Sequence, residues 1–256
     1  MTTLWMLSVL LVAPAQAEAP FVLVEAAYSE ASLQTAMAST EWRVRHDAAV
    51  AVTWRDHAEL AEELWTVQPQ PTRAGFLRFW GGIVDDPAAS PILLDRLVHG
   101  GEGYAVRHAL VDAIARSGSD YDQAFLELMP SEEEPWVRAA YMNALRRQPA
   151  TTALALYRIG FEDESGLVRA EAARSTGWHA EGAQLSRELT ASLADSDAEV
   201  RAAASRALGV LGVLPSFEAV AGLLADGDAE VRLQALHAVE RLDAERARPL
   251  ARPACV

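Results

Sequence analysis

Six histidines, one cysteine and a twice-repeated Asp-x-Asp-x-Glu phrase are the residues of this chain whose types and spacing could carry chemistry. The histidines are His46, His57, His99, His108, His179 and His237. None precedes a Glu, and none is matched by a second histidine four places on along one helix face. No spacing gathers three ligands locally, so these residues do not encode a zinc or iron site from near neighbours. His108, two places after Val106, reads as a solvated or inter-helix residue rather than a base. The single cysteine is Cys255, next to last, which excludes an intramolecular disulfide and a multi-thiolate metal site. All 22 basic residues are arginine, so lysine nucleophiles and Schiff bases are excluded as well. A Ser/His/Asp site would have to be assembled from distant segments, because no Gly-x-Ser-x-Gly elbow occurs.

Three phrases imitate binding motifs. Asp195-x-Asp-x-Glu199 and Asp226-x-Asp-x-Glu230 resemble the start of a calcium loop, but the sixth positions are Val200 and Val231 where such a loop needs glycine. Helix capping explains both better: an aspartate there accepts hydrogen bonds from free N–H groups and suits the positive end of a helix. Gly100-Gly101-Glu102-Gly103 lacks the Lys-Ser/Thr of a phosphate cradle and reads as a flexible turn. Glu132-Glu133-Glu134 reads as a solvated turn.

The elements that would position these residues follow from composition and periodicity. The chain has 256 residues, 51% of them hydrophobic, enough for a packed core. With 36 acidic against 22 basic residues the net charge is −14, which argues against nucleic acid or an anionic membrane as partner. Residues 1–17 are uncharged, with an apolar run from Leu4 to Ala13 and then Ala15-Gln16-Ala17 before Glu18. This is the layout of a secretory signal peptide, although the n-region has no Lys or Arg. The run is too short for the roughly 20 residues of a membrane span. The expectation is therefore a periplasmic or secreted protein cleaved after Ala17, with 18–28 as a lead-in.

From residue 29 one phrase recurs. Val106-Arg107, Val137-Arg138, Val168-Arg169, Val200-Arg201 and Val231-Arg232 are separated by 31, 31, 32 and 31 residues. Val44-Arg45 and a degraded copy at Thr72-Arg73 lie upstream. Apolar residues tend to return four, seven and eight places after each Val, which is one face of an α-helix. Each such helix follows a turn and a first helix, and Pro135 sits where proline opens a helix. Self-similarity at this period predicts a solenoid, in which each unit buries its apolar face against its neighbours. Seven helix pairs are expected, at about 29–55, 56–84, 88–117, 120–148, 150–179, 182–212 and 215–243. They form one domain over 29–243, and 244–256 is a tail with Pro249 and Pro253.

The phrases Asp195-Ser-Asp-Ala-Glu-Val-Arg-Ala-Ala-Ala-Ser-Arg-Ala-Leu-Gly209 and Asp226-Gly-Asp-Ala-Glu-Val-Arg232 resemble HEAT-like repeats of the short kind first named from phycobilin lyases. The resemblance covers most of residues 40–242. It implies an all-α fold, a right-handed α-solenoid of about seven stacked helix pairs, used as a protein-binding scaffold; the motif residues are packing residues and imply no reaction. Its iron-binding branch uses His-Glu dipeptides, which this chain lacks, and its DNA-glycosylase branch needs a basic groove.

The arginine after each Val holds one phase: Arg45, Arg73, Arg107, Arg138, Arg169, Arg201 and Arg232 should form a row. Turn carboxylates are its expected partners, Asp195, Asp197, Asp226 and Asp228 among them, fixing the register between units. In repeats of this kind the second helices line the concave face. The position six after the Val reads Val50, Arg78, Asp112, Asn143, Arg174, Arg206 and His237, and the position ten after it reads Trp54, Gly82, Arg116, Arg147, Trp178, Val210 and Arg241. These columns hold six arginines, two tryptophans and one acid, the composition of binding hot spots. The expected partner site is thus Arg78, Arg116, Arg147, Arg174, Trp178, Arg206 and His237, gripping an acidic segment of an envelope protein. Three functions compete. The first is a non-enzymatic scaffold, with no catalytic, metal or cofactor residue. The second is a lyase- or chaperone-like subunit acting with a tetrapyrrole or a catalytic partner. The third is a self-associating array, which Cys255 could cross-link.

Overall fold

The computed structural model describes residues 30–40, 88–117 and 121–250, together with the single positions Val44, Trp65, Arg73, Ala74 and Leu77. Among the described residues every regular element is a helix. The signal peptide expected at 1–17, the lead-in 18–28, Cys255 and most of the first two repeats lie outside them. The chain divides into two compact units, Met1–Ser119 and Asp120–Val256. The sequence reading has one domain over 29–243, and the divide falls at Ser117-Gly118-Ser119, a small-residue stretch inside that span.

In the first unit α1 spans Glu30–Met37, α2 Ala89–His99 and α3 Tyr104–Arg116. Helices α2 and α3 pack against each other through Leu93, Leu97, Val106, Leu110 and Ile114. The turn between them, expected as a flexible one, is tied down. Gly101 takes the left-handed conformation at φ 60°, and Glu102 is turned inward, where Arg73 donates to it.

The second unit is a stack of four helix pairs. First helices are α4 (Asp122–Leu128), α6 (Ala150–Phe161), α8 (Ser186–Ser192) and α10 (Phe217–Gly222); second helices are α5 (Pro135–Ala144), α7 (Gly166–Trp178), α9 (Ala198–Leu211) and α11 (Ala229–Leu242). The last element, α12 (Ala244–Ala247), packs on α11, buries Ala247 and stacks Arg246 over Phe217 at 4.0 Å, so this part of the tail covers the last pair. Two first helices are shorter than the periodicity suggests. Residues 182–185 and 223–225 tighten into 3-10 turns, as chain ends of helices commonly do. Val137, Val168, Val200 and Val231 are fully buried, as their phase requires.

Two devices hold the stack. One is an arginine–aspartate ladder. Arg138 forks onto Asp163 (Nε–Oδ2 2.7 Å, Nη2–Oδ1 2.9 Å), Arg169 onto Asp195 (2.8 and 2.9 Å) and Arg201 onto Asp226 (2.8 and 2.9 Å). With Nη1 each arginine also donates to two carbonyls of its own turn, Asp163 and Glu164 in the case of Arg169. Each aspartate in turn accepts the N–H two residues on, closing its turn. Expected partners Asp197 and Asp228 do something else: they cap α9 and α11, accepting from Glu199 N (2.8 Å) and Glu230 N (2.8 Å). The hydrogen bonds from Arg169 and Arg201 hold the Asp195 and Asp226 carboxyls below the usual carboxylate range.

The other device is a seam of small residues. A Cβ built on Gly209 of α9 would lie 2.7 Å from Ala238 Cα of α11, and one on Gly177 of α7 would lie 2.9 Å from Ala207 Cβ of α9. The second helices therefore meet backbone to backbone. Tyr157, fully buried in α6, leaves its hydroxyl without a hydrogen-bond partner, and burial pushes its phenol pKa up.

Gly209→Ala should therefore cost about 1–3 kcal/mol in chemical denaturation, since the obstacle is backbone. Tyr157→Phe should leave stability unchanged or slightly raised, because it removes an unsatisfied hydroxyl.

The ladder also sets an acid limit. A carboxyl whose folded pKa is depressed stabilises the fold fully above its unfolded value, near 3.9, and that contribution is lost as pH falls through the lower folded value. Asp195→Asn should lower stability at neutral pH by about 1 kcal/mol and flatten the decline below about pH 4, read from urea midpoints across pH.

Candidate binding face

Three of the expected partner residues come together on the second helices of the C-terminal pairs. Trp178 ends α7 and is 58% exposed, and the Arg206 guanidinium of α9 lies over its ring at 5.6 Å. Val210, one turn after Arg206, is exposed beside them, and Gly177, Ala203 and Ala207 floor the small pocket at their feet. Glycine and alanine place the ring here: with no side chain between α7 and α9, Arg206 and Trp178 reach each other across the seam.

Arg174 borders the same pocket but is already engaged. Its Nη1 donates to Glu171 Oε2 at 3.1 Å and its Nη2 to Glu199 Oε1. Burial alone would lower its pKa, yet these hydrogen bonds raise it above the ordinary arginine value. Arg146 of the preceding repeat, in the 3-10 turn after α5, donates to Glu171 at 2.8 Å, so Arg146, Glu171, Arg174 and Glu199 form a second charge row running from that turn across α7 and α9.

Beside the pocket runs a groove of about 550 Å³ between the N-terminal turns of α9 and α11. Asp197, Glu199, Asp228 and Glu230 line it against only Arg174 and Arg206. The predominance of arginine expected from the two columns is corrected here: first-turn acids of the following helix sit beside the sixth-place arginine of the preceding one. A signal for this pairing is in the sequence, since Glu171 and Glu199 each lie 25 residues after an arginine they bind.

The remaining expected residues do not join this face. Arg116 belongs to the first unit, donating to Asp112 (3.1 Å) and to the Leu77 carbonyl (2.6 Å). His237 is exposed on α11 and does not line the groove. Arg147 ends the 3-10 turn after α5, and its side chain, like the whole of Arg78, lies outside the described residues. Chemistry elsewhere is accounted for structurally. His179 is buried, with Glu181 N–H donating to its Nδ1 at 3.1 Å and its Nε2 on the Gln148 carbonyl at 3.0 Å. That arrangement fixes the tautomer protonated at Nε2. Among the described residues no group of His, Cys, Asp and Glu could hold a metal, and no helix is long and apolar enough to cross a membrane.

Trp178→Ala and Arg206→Ala should each change unfolding free energy by no more than about 0.5 kcal/mol, whereas Val200→Asp should cost several, read by thermal and urea melts.

No family model matches the chain, and no curated protein is similar to it in sequence. Its likenesses are to solved structures, at low identity. An engineered protein is 18% identical over 84% of this chain and 96% of its own, with a TM-score of 0.43. The complex of CpcE and CpcF of phycocyanin lyase from Nostoc sp. PCC7120 is 20% identical over 93% of this chain and 98% of that one, with a TM-score of 0.44. The expectation of a chain that is not an enzyme is withdrawn: a phycocyanin lyase complex is among the similar structures, a likeness that assigns no reaction to this chain. The chain has an all-α, helical repeat-type fold.

Proposed function

We propose that the chain is a lyase- or chaperone-like HEAT-repeat subunit that holds a protein partner on the face formed by α7, α9 and α11. The observation that carries this reading is the Trp178–Arg206 pair: a large aromatic ring left 58% exposed, with a guanidinium over it and a groove alongside. Both residues are exposed, and tryptophan with arginine dominates the energetics of protein interfaces. The ladder arginines Arg138, Arg169 and Arg201 bind their own turns and the next, which leaves recognition to the second-helix face.

The run of residues 1–17 supports export, so the partner is sought in the envelope. The acidic segment expected as that partner has less to bind than the columns suggest, since Glu171 and Glu199 already engage Arg174 and leave Arg206 as the groove's open cation. A tetrapyrrole cargo would mark the lyase-like form of the reading by a visible absorption band on the purified protein.

The test is capture from a native envelope fraction, followed by binding of the purified captured protein. Wild type should bind it stoichiometrically. Trp178→Ala and Arg206→Ala should each weaken binding at least about tenfold with unchanged helical circular dichroism and melting point. Binding that survives both substitutions would move the partner site off this face.

A further inference from the structure

The groove beside Trp178 carries a charge pattern that says what kind of segment it accepts. We propose that it takes a basic, partly apolar segment of the protein partner, with an apolar side chain on Trp178 and Val210 and an arginine or lysine between Glu199 and Glu230. This rests on the face assigned under the proposed function and adds the chemistry of its occupant.

Four carboxylates line the groove against two guanidiniums. Arg174 is neutralised from both sides by Glu171 and Glu199, and Arg206 is drawn over the Trp178 ring at 5.6 Å. Asp197 and Asp228 each commit an oxygen to the N–H groups of the helices they cap. Glu199 and Glu230 are different. Both are exposed, Glu199 shares only one oxygen with Arg174, and the groove partner of Glu230 is the neutral amide of Gln234, at 2.7 Å. They stand at equivalent places in successive repeats, on neighbouring helices whose axes lie about 8–10 Å apart. A single extended cationic side chain, or two on one segment, reaches both.

The floor between them is Ala202 and Ala203, which lets a backbone approach closely. An acidic segment would meet a net surplus of carboxylate here, within a chain of net charge −14. The same field draws a basic segment in and speeds its encounter. The apolar requirement is independent of charge: Trp178 and Val210, 58% and 37% exposed, adjoin the groove at its α7 end.

Two labelled peptides test this with the full chain by fluorescence anisotropy, one of alternating leucine and arginine and its leucine–glutamate counterpart. The arginine peptide should bind at least about tenfold more tightly than the glutamate one, with affinity falling as salt rises. The double variant Glu199→Gln, Glu230→Gln should weaken the arginine peptide about tenfold. A control double variant of exposed acids that do not line the groove, Glu162→Gln with Glu240→Gln, removes the same charge and should have little effect. Equal loss from the two doubles would show attraction to net charge alone and overturn the proposal. No binding of the arginine peptide, or tighter binding of the glutamate peptide, overturns it as well. Trp178→Ala separates the two readings. If it weakens capture of the envelope partner while Glu199→Gln, Glu230→Gln does not, the face stands and its basic occupant falls. If Trp178→Ala changes neither partner capture nor peptide binding, the face itself falls.

Discussion

The fork of one repeat's arginine on the next repeat's aspartate is the interaction on which the second unit depends. Helices that stack only through small apolar residues have no directional preference and could slide by a turn at little cost. The ladder removes that freedom. Each guanidinium is fixed at one edge by two carbonyls of its own turn and at the other by both oxygens of one carboxylate, as at Arg169 and Asp195. Planar, bidentate geometry tolerates no register shift. The same groups satisfy carbonyls at the turn that would otherwise be left with weak partners. Register and turn shape are thus one problem with one solution, repeated at Arg138, Arg169 and Arg201.

With register fixed, the seam can be tight. Gly177 against Ala207 and Gly209 against Ala238 bring second helices together at their backbones. This closeness has a consequence for recognition. Long side chains cannot enter the seam, so Trp178 and Arg206 are pushed outward and toward each other, and first-turn acids of one helix arrive beside arginines of the one before. The face proposed for binding is a by-product of close packing: what cannot fit between helices is displayed beside them.

The arginine row was legible because its period is simple. An invariant Val-Arg step with aspartate five places before the Val places the Asp163, Asp195 and Asp226 carboxylates at every turn of the last three pairs. What the columns of the second helices could not reveal was how their charges pair. Arg174 counts as a free cation in a list and as a neutralised one beside Glu171 and Glu199. Glu102 sits in a glycine-rich stretch that reads as a flexible turn and is buried against Arg73.

The sequence by itself therefore determined the all-α class, the helical repeat-type fold, the buried valines and the existence of the arginine row. Those follow from local periodicity, since apolar spacing and turn residues act within one repeat or between adjacent ones. Only the tertiary structure decided which aspartate serves the ladder and which caps a helix, the exposure of Trp178, and the surplus of acid along the groove. These are set by distances across the seam between helices about 30 residues apart, and a list of residue types contains no distances.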